Sequence, residues 1–226
     1  MSGETRTQLK GIPKVAADRL LESVLGFSQA AQFLEVDMSE VEKLKAEYKN
    51  RGQKISSTAI FIKAMALAVA KYPHINSRLE GDTIVQYDDF NPGIAMDTPK
   101  GLLVLVLKAA QNKSLDQINA EVLELLDRAR NNKITLDDFK GGTMTISNMS
   151  MTNVDFFTSI VNNFETVIMG FGRTKKRVVV GENDEILIRP MSWIMVNINH
   201  SLTSGVPSNH FINHIAMVLE NPKQYF

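Results

Sequence analysis

The sequence predicts a mixed α/β fold in which helices pack against one sheet. Apolar residues recur at helical spacing in several segments, and short apolar runs bounded by turn residues lie between them. No Pro/Gly/Ser-rich linker and no internal repeat divides the 226 residues, a length that can bury a sizeable core. We expect residues 1–12 to form an N-terminal arm and residues 13–226 to form one core domain.

The helical segments are predicted from periodicity and from end signals. Pro13 suits the first turn of a helix, and apolar residues at helical spacing follow it. Ser114 is the expected N-cap of a long helix. The segment 57–72 is apolar on most sides, so this helix should be buried. The predicted helices span residues 13–31, 39–50, 57–72, 114–131 and 207–219.

Short strands are predicted between these helices from apolar and alternating runs. The predicted strands are residues 33–37, 77–79, 83–85, 93–96, 102–107, 143–147, 166–170 and 194–198. The basic run from Arg173 to Arg177 is interpreted as a solvated turn.

The composition excludes several classes of function. Lys+Arg and Asp+Glu both number 25, so the zero formal net charge predicts no nucleic-acid or membrane partner. The absence of cysteine excludes disulfides, thiolate metal sites and a cysteine nucleophile. No apolar stretch approaches the roughly 20 residues of a membrane span, and the first residues do not resemble a signal peptide. We expect a cytoplasmic protein, or a mitochondrial matrix protein if the chain is a mature fragment.

His200 is the first candidate for chemistry. It follows an apolar strand and precedes a loop that ends at Gly205, and functional groups concentrate at such strand ends. An imidazole can take and return a proton near neutral pH, although a structural histidine fits the same position. His210 and His214 have a spacing that can bind a metal, but no nearby acid or cysteine completes a site. We therefore predict a packed or exposed histidine pair and no metal centre.

Ser147 is the second candidate. It lies at the end of a predicted strand, in the run Gly141–Asn148, where a hydroxyl can donate a hydrogen bond to a developing oxyanion. The alternative is that Ser147 and Asn148 satisfy the backbone of a turn.

Several motifs, in order along the chain, resemble one family. Gly11–Ser23 resembles its opening helix, and the segment from Gly141 to Asn148 resembles one of its conserved runs. The other matching segments are residues 35–39, 91–102 and 219–222. Together they resemble the catalytic core domain of the dihydrolipoamide acyltransferase component of 2-oxo acid dehydrogenase complexes.

This resemblance implies a fold like that of chloramphenicol acetyltransferase, with a mixed sheet, flanking helices and homotrimers whose active sites lie between subunits. Many members of the family build cubic or dodecahedral cores and work with lipoyl domains and other dehydrogenase subunits. The implied reaction moves an acyl group between lipoyl-lysine and coenzyme A. His200 would be the general base and Ser147 the oxyanion donor. Coenzyme A is then a substrate, a separate domain supplies the lipoyl group, and no cofactor is tightly bound.

The chain departs from the family at the active-site run. Where the family has Asp-His-Arg-Val-x-Asp-Gly, this chain has Asn199-His200-Ser201-Leu202-Thr203-Ser204-Gly205, so both acids and the arginine are replaced. Pro13 stands where the family's opening helix usually carries an arginine, which in the related chloramphenicol enzymes pairs with the aspartate matching Ser204. Asn199 and Ser204 are therefore only candidate supporting residues.

Two hypotheses follow from this pattern. The first is an active acyltransferase with altered support around His200, which the retention of His200 and Ser147 favours. The second is a catalytically weak or inactive subunit that forms the structural core of a complex, which the loss of the acids and the arginine favours. A small-molecule acetyltransferase of the antibiotic-modifying type is a third reading.

Overall fold

The computed structural model describes residues 3–98, 101–162 and 164–226. Within them, seven strands form one mixed sheet and two form a separate hairpin. The strands are β1 (Gln29–Asp37), β2 (Ser77–Glu80), β3 (Thr83–Gln86), β4 (Pro92–Thr98), β5 (Gly101–Val106), β6 (Met144–Asn148), β7 (Val167–Phe171), β8 (Lys175–Val180) and β9 (Ile186–Asn199). The helices are α1 (Ile12–Gly26), α2 (Ser39–Asn50), α3 (Ser57–Lys71), α4 (Leu115–Arg130), α5 (Gly205–Glu220) and α6 (Pro222–Tyr225).

The direction of each strand in the large sheet decides at which end of the sheet the strand finishes. The strand order is β1-β9-β7-β6-β4-β5, and β8 pairs with β9. Strands β4, β6 and β7 are parallel to one another, whereas β9 is antiparallel to β1, β7 and β8. The carboxyl ends of β6 and β9 therefore lie at opposite ends of the sheet.

One face of the sheet carries the hydrophobic core. Helix α3 is almost entirely buried there, as its apolar sequence predicts, and it packs against α4 and α5. Its Phe61 stacks on Phe171 of β7 with ring centroids 3.7 Å apart. No helix among the described residues is long and apolar enough to cross a bilayer.

Helix α4 begins as the sequence predicts. Ser114 is its N-cap, and its hydroxyl accepts a hydrogen bond from the backbone N–H of Gln117 at 3.2 Å. The Gln117 side chain in turn accepts from the backbone N–H of Ser114 at 2.8 Å. This reciprocal capping box satisfies two backbone donors that the helix itself cannot pair.

The predicted end of the first helix is wrong. Helix α1 stops at Gly26, and β1 already begins at Gln29, because residues 29–37 pair along their whole length with β9. Ala30 and Ala31 favour helix locally, but the backbone pairing outweighs that weak preference. The prediction that residues 1–12 form a separate arm stays a prediction.

The interpretation of Arg173–Arg177 as a solvated turn is also wrong. Strand β8 begins at Lys175 and forms a hairpin with β9, which is 14 residues long. The side chains of Arg173, Lys175 and Arg177 form ion pairs with Asp155. Hydrogen bonds from Lys175 and Arg173 lower the pKa of Asp155 to about 2. The positive charges therefore anchor a neighbouring segment instead of facing only solvent.

An irregular segment, residues 149–162, crosses the face of the sheet opposite the helices. Gly172 permits its close approach, because a Cβ atom there would lie 1.8 Å from the carbonyl oxygen of Asp155. Further along, the backbone N–H of Ser159 donates to Asn197 at 3.4 Å and that of Val161 donates to Gln29 at 3.0 Å. These contacts fix the segment over the centre of the sheet.

Candidate active site

His200 lies immediately after β9, where backbone hydrogen bonds hold it on two sides. Its N–H donates to the carbonyl oxygen of Ser28 at 2.9 Å, and the N–H of the preceding Asn199 donates to Thr166 at 2.8 Å. The His200 side chain is exposed, and its ring makes no hydrogen bond to any described residue. The backbone of His200 is thus well fixed, whereas its imidazole is free to meet another molecule.

Asn199 shapes the turn that follows. Its side-chain oxygen accepts from the backbone N–H of Ser201 at 3.0 Å, and its carbonyl oxygen accepts from the N–H groups of Leu202 and Thr203. Asn199 is completely buried, and its Nδ2 has no hydrogen-bond partner among the described residues. An asparagine with this pattern forms an Asx turn, so Asn199 can orient the loop without the charge of an aspartate.

Ser204 closes the loop as the residue before α5. Its exposed side chain makes no capping hydrogen bond with any described residue, and its carbonyl oxygen accepts from Ser208. Sequence reasoning missed a residue that contacts this junction, Gln32 of β1. Its Nε2 donates to the carbonyl oxygen of Gly205 at 2.7 Å. No local sequence signal identifies Gln32, because the contact spans 173 positions.

Ser147 lies near the end of β6, on the face opposite the helices. Its backbone neighbours in the sheet are Ala95 and Gly170, and its side chain is half-buried. The adjacent Asn148 donates to Thr58 at 2.9 Å and accepts from the N–H of Ser150 at 2.9 Å. Asn148 therefore fixes the turn, and the hydroxyl of Ser147 is left without a structural hydrogen bond among the described residues.

His200 and Ser147 do not meet within one chain. Ser147 is level with Gly170, and Gly170 is level with Met195 of β9, five residues before His200. At about 3.3 Å per residue and 4.8 Å per strand, the two residues are separated by roughly 19 Å. A site that uses both residues must therefore take them from two copies of the chain.

His210 and His214 have structural contacts. The rings of His210 and His214 both lie beside Tyr72, at 6.5 Å and 6.1 Å between centroids, and His214 also contacts Tyr225. His210 is exposed and His214 is half-buried, and both possibilities lie within the expectation of a packed or exposed pair. Among the described residues, no group of three or more His, Cys, Asp or Glu is arranged to hold a metal ion.

Glu165 is a buried carboxyl group that the sequence did not single out. It lies two residues before the start of β7, and burial raises its pKa to about 8, although hydrogen bonds from Thr145 and Asn162 partly oppose the shift. It borders an apolar cavity of about 550 Å³ between α1 and β5. A carboxyl group that is protonated near neutral pH can remain in such a position without a full ion pair.

The architecture is that of known acyltransferase catalytic cores. One similar structure is that of Azotobacter vinelandii dihydrolipoamide acetyltransferase, from a study of the roles of a serine, a histidine and an asparagine in its catalytic mechanism. It has a TM-score of 0.92 and 27% identity, and the match covers 99% of this chain and 95% of that one. The cubic core of a pyruvate dehydrogenase multienzyme complex has a TM-score of 0.88 and 27% identity over 96% and 94% of the two chains. A chloramphenicol acetyltransferase, 18% identical with a TM-score of 0.57 over 89% and 94%, shares the fold. The predicted fold class is confirmed.

The chain belongs to the family of 2-oxoacid dehydrogenase acyltransferases (catalytic domain), whose sequence model matches residues 1–226. It is 33% identical to the dihydrolipoyllysine-residue succinyltransferase component of the mitochondrial 2-oxoglutarate dehydrogenase complex of Saccharomyces cerevisiae, over 98% of this chain and 49% of that protein. It is 32% identical to the dihydrolipoyllysine-residue acetyltransferase component of the pyruvate dehydrogenase complex of Staphylococcus epidermidis, over 97% and 52%. The chain thus spans about half the length of these relatives.

Proposed function

We propose that this chain is the catalytic core of a dihydrolipoamide acyltransferase, which moves an acyl group between lipoyl-lysine and coenzyme A. The observation that carries the proposal is the separation of His200 and Ser147 at opposite ends of one sheet. Each residue has a side chain with no structural hydrogen bond among the described residues, and a site that contains both would need two copies of the chain. The relatives named above are components that act on dihydrolipoyllysine, which supports the same substrate class.

The spacing of the candidate residues supports the assignment. In the Azotobacter study the histidine and the asparagine are four residues apart, as His200 and Ser204 are here. The serine there precedes the histidine by nearly the same interval that separates Ser147 from His200. Ser204 thus stands where that enzyme has an asparagine. A hydroxyl is shorter than a carboxamide, so the Ser204 side chain reaches less far from the backbone than that asparagine.

The proposed reaction needs one base and one oxyanion donor. The His200 imidazole takes the proton of the attacking thiol, and the sulfur forms a bond to the thioester carbonyl carbon. Ser147 of the neighbouring copy donates a hydrogen bond to the oxyanion of the tetrahedral intermediate. The intermediate then expels the second thiolate, which takes the proton back from the imidazolium. Coenzyme A and the lipoyl group are both substrates, and the lipoyl group comes from another domain.

The proposal includes a homotrimer, and exposed apolar side chains mark surfaces that such an assembly can cover. The β8–β9 hairpin extends beyond the end of the sheet that holds Ser147, and its apolar residues are 68–77% exposed. These residues are Val178, Val180, Ile186 and Ile188. A contiguous apolar strip of this kind usually marks a protein interface. Larger cubic or dodecahedral cores and contacts with lipoyl domains and other dehydrogenase subunits belong to the same proposal, in the cytoplasm or, as the name of the yeast relative states, in mitochondria.

The loop around His200 favours a second candidate function. Residues 201–204 carry no charge, and no described residue contacts the His200 ring through a hydrogen bond. A histidine without an orienting partner is a poorer general base. The chain would then be a weakly active or inactive subunit that forms the structural core of the complex.

One assay separates the two candidates. Acyl transfer from acyl-coenzyme A to free dihydrolipoamide is measured for the wild type and for His200→Ala. Transfer that disappears in the variant supports the enzyme. An equal background rate in both proteins contradicts it and supports the structural subunit, provided that sedimentation shows the same assembly for both.

A further inference from the structure

The connection between β9 and α5 contains the candidate base, and it is held from outside by a residue of β1. We infer that Gln32 is a positioning residue for His200, because its side-chain amide fixes the first turn of α5 and thereby the far end of the His200 loop. The inference rests on the proposed function, and it names the group that takes over where the family's charged loop residues are absent.

The contacts of Gln32 are specific to its amide. Its Nε2 donates to the carbonyl oxygen of Gly205 at 2.7 Å, and its Oε1 lies 3.1 Å from the hydroxyl of Ser208. The same hydroxyl lies 2.8 Å from the carbonyl oxygen of Ser204, so its single proton is shared between acceptors. Gln32 is half-buried, which partly shields these bonds from water, and its backbone pairs with Val196 in the sheet. Both ends of the amide are thus occupied by the first turn of one helix.

The loop is fixed differently at its two ends. At the β9 end, the backbone N–H groups of Asn199 and His200 are bonded to neighbouring segments. At the α5 end, Ser204 makes no side-chain cap, and the side-chain contacts that tie this turn to β1 come from Gln32. If the first turn of α5 moves, the loop can move with it, and the direction of the His200 ring changes.

This dependence matters because the His200 imidazole has no hydrogen-bond partner among the described residues. A general base must lie within hydrogen-bonding reach of the thiol. A displacement of about 1 Å can lower the rate by as much as about 100-fold, even when its cause is remote from the reacting atoms. Gln32 does not touch the reacting atoms, so its effect should appear in kcat and not in KM.

The test compares variants that preserve side-chain size. Gln32→Met keeps the volume but removes both hydrogen bonds, and Gln32→Glu keeps the shape but replaces the donor to Gly205 by an acceptor. Gln111→Met is the matched control. Gln111 lies in the segment that follows β5 and is also half-buried, and its side chain also binds a backbone group, because it accepts from the N–H of Phe90 at 2.9 Å. Acyl transfer and amide hydrogen exchange of Ser201–Thr203 are measured for all proteins.

We expect both Gln32 variants to lose about 10-fold or more in kcat at an unchanged KM, since the base is misplaced and the substrate sites are intact. Their loop amides should exchange faster than those of Gln111→Met. A role in packing alone predicts that Gln32→Glu behaves like the wild type. Equal kcat values in Gln32→Met and Gln111→Met would overturn the inference. An inactive wild type would overturn the proposed function, and the exchange rates would then still decide whether Gln32 holds the loop.

Discussion

A mixture of two defective variants offers the sharpest test of the proposed site. His200→Ala removes the proposed base and Ser147→Ala removes the proposed oxyanion donor, so each homogeneous assembly should contain only defective sites. The two residues are roughly 19 Å apart within one chain, because they lie at opposite ends of the sheet. In the proposed site, His200 of one subunit therefore acts together with Ser147 of the next. When equal amounts of the two variants assemble at random, about one quarter of the sites contain both residues in a head-to-tail interface.

The assay is acyl transfer from acyl-coenzyme A to dihydrolipoamide after the variants are mixed, dissociated and reassembled. The control is wild type reassembled with the double variant H200A/S147A, which also yields about one quarter of intact sites when exchange is complete. We expect equal activities in the two mixtures and no more than about one hundredth of the wild-type activity in either single variant alone. If the control mixture is active but the mixture of single variants is not, the site is not assembled from two subunits.

Four other predictions follow from single contacts. Ser147→Ala should lower kcat by about 10²–10³-fold without a comparable change in KM, measured by steady-state kinetics, because an oxyanion donor acts on the transition state; a change confined to KM would contradict this role. Val178→Asp should shift the assembly towards monomer in sedimentation velocity, since it places a carboxylate on the apolar hairpin, whereas Ile84→Asp on the separate β2–β3 hairpin should not. Ser114→Ala should lower the free energy of unfolding by about 1 kcal/mol in urea titrations, because the capping box of α4 is lost. Burial raises the pKa of Glu165 from 4.5 to about 8 in the folded protein, so the free energy of unfolding of the wild type should fall as the pH rises between these values. Glu165→Gln should remove this contribution to the slope, and parallel stability curves for the two proteins would disprove the prediction.

The sequence alone identified the family and the two candidate residues, because the motifs that mark them are short and local. The motif around Gly141–Asn148 and the position of His200 before Gly205 lie within short stretches of chain. The cap of α4 is equally local, since Ser114 and Gln117 are three residues apart. Such signals depend on residues that are neighbours along the backbone, so they can be read without knowledge of the fold.

The extent of β1 and β8 was not readable in the same way. Residues 29–31 favour helix by composition, and Lys175–Arg177 has the composition of an exposed turn. Both segments become strands because β9 supplies a backbone partner on each of its sides. Strand pairing between distant segments outweighs local preference, and its register cannot be deduced from either segment alone.

Tertiary structure also decided how the candidate site is arranged. The sequence names His200 and Ser147 but not the antiparallel direction of β9 that places them at opposite ends of the sheet. It gives no sign that Gln32, 173 positions from Gly205, holds the start of α5. These relations arise because sheet register brings together residues that are remote in the chain, whereas the chemical character of each side chain is already fixed by the sequence.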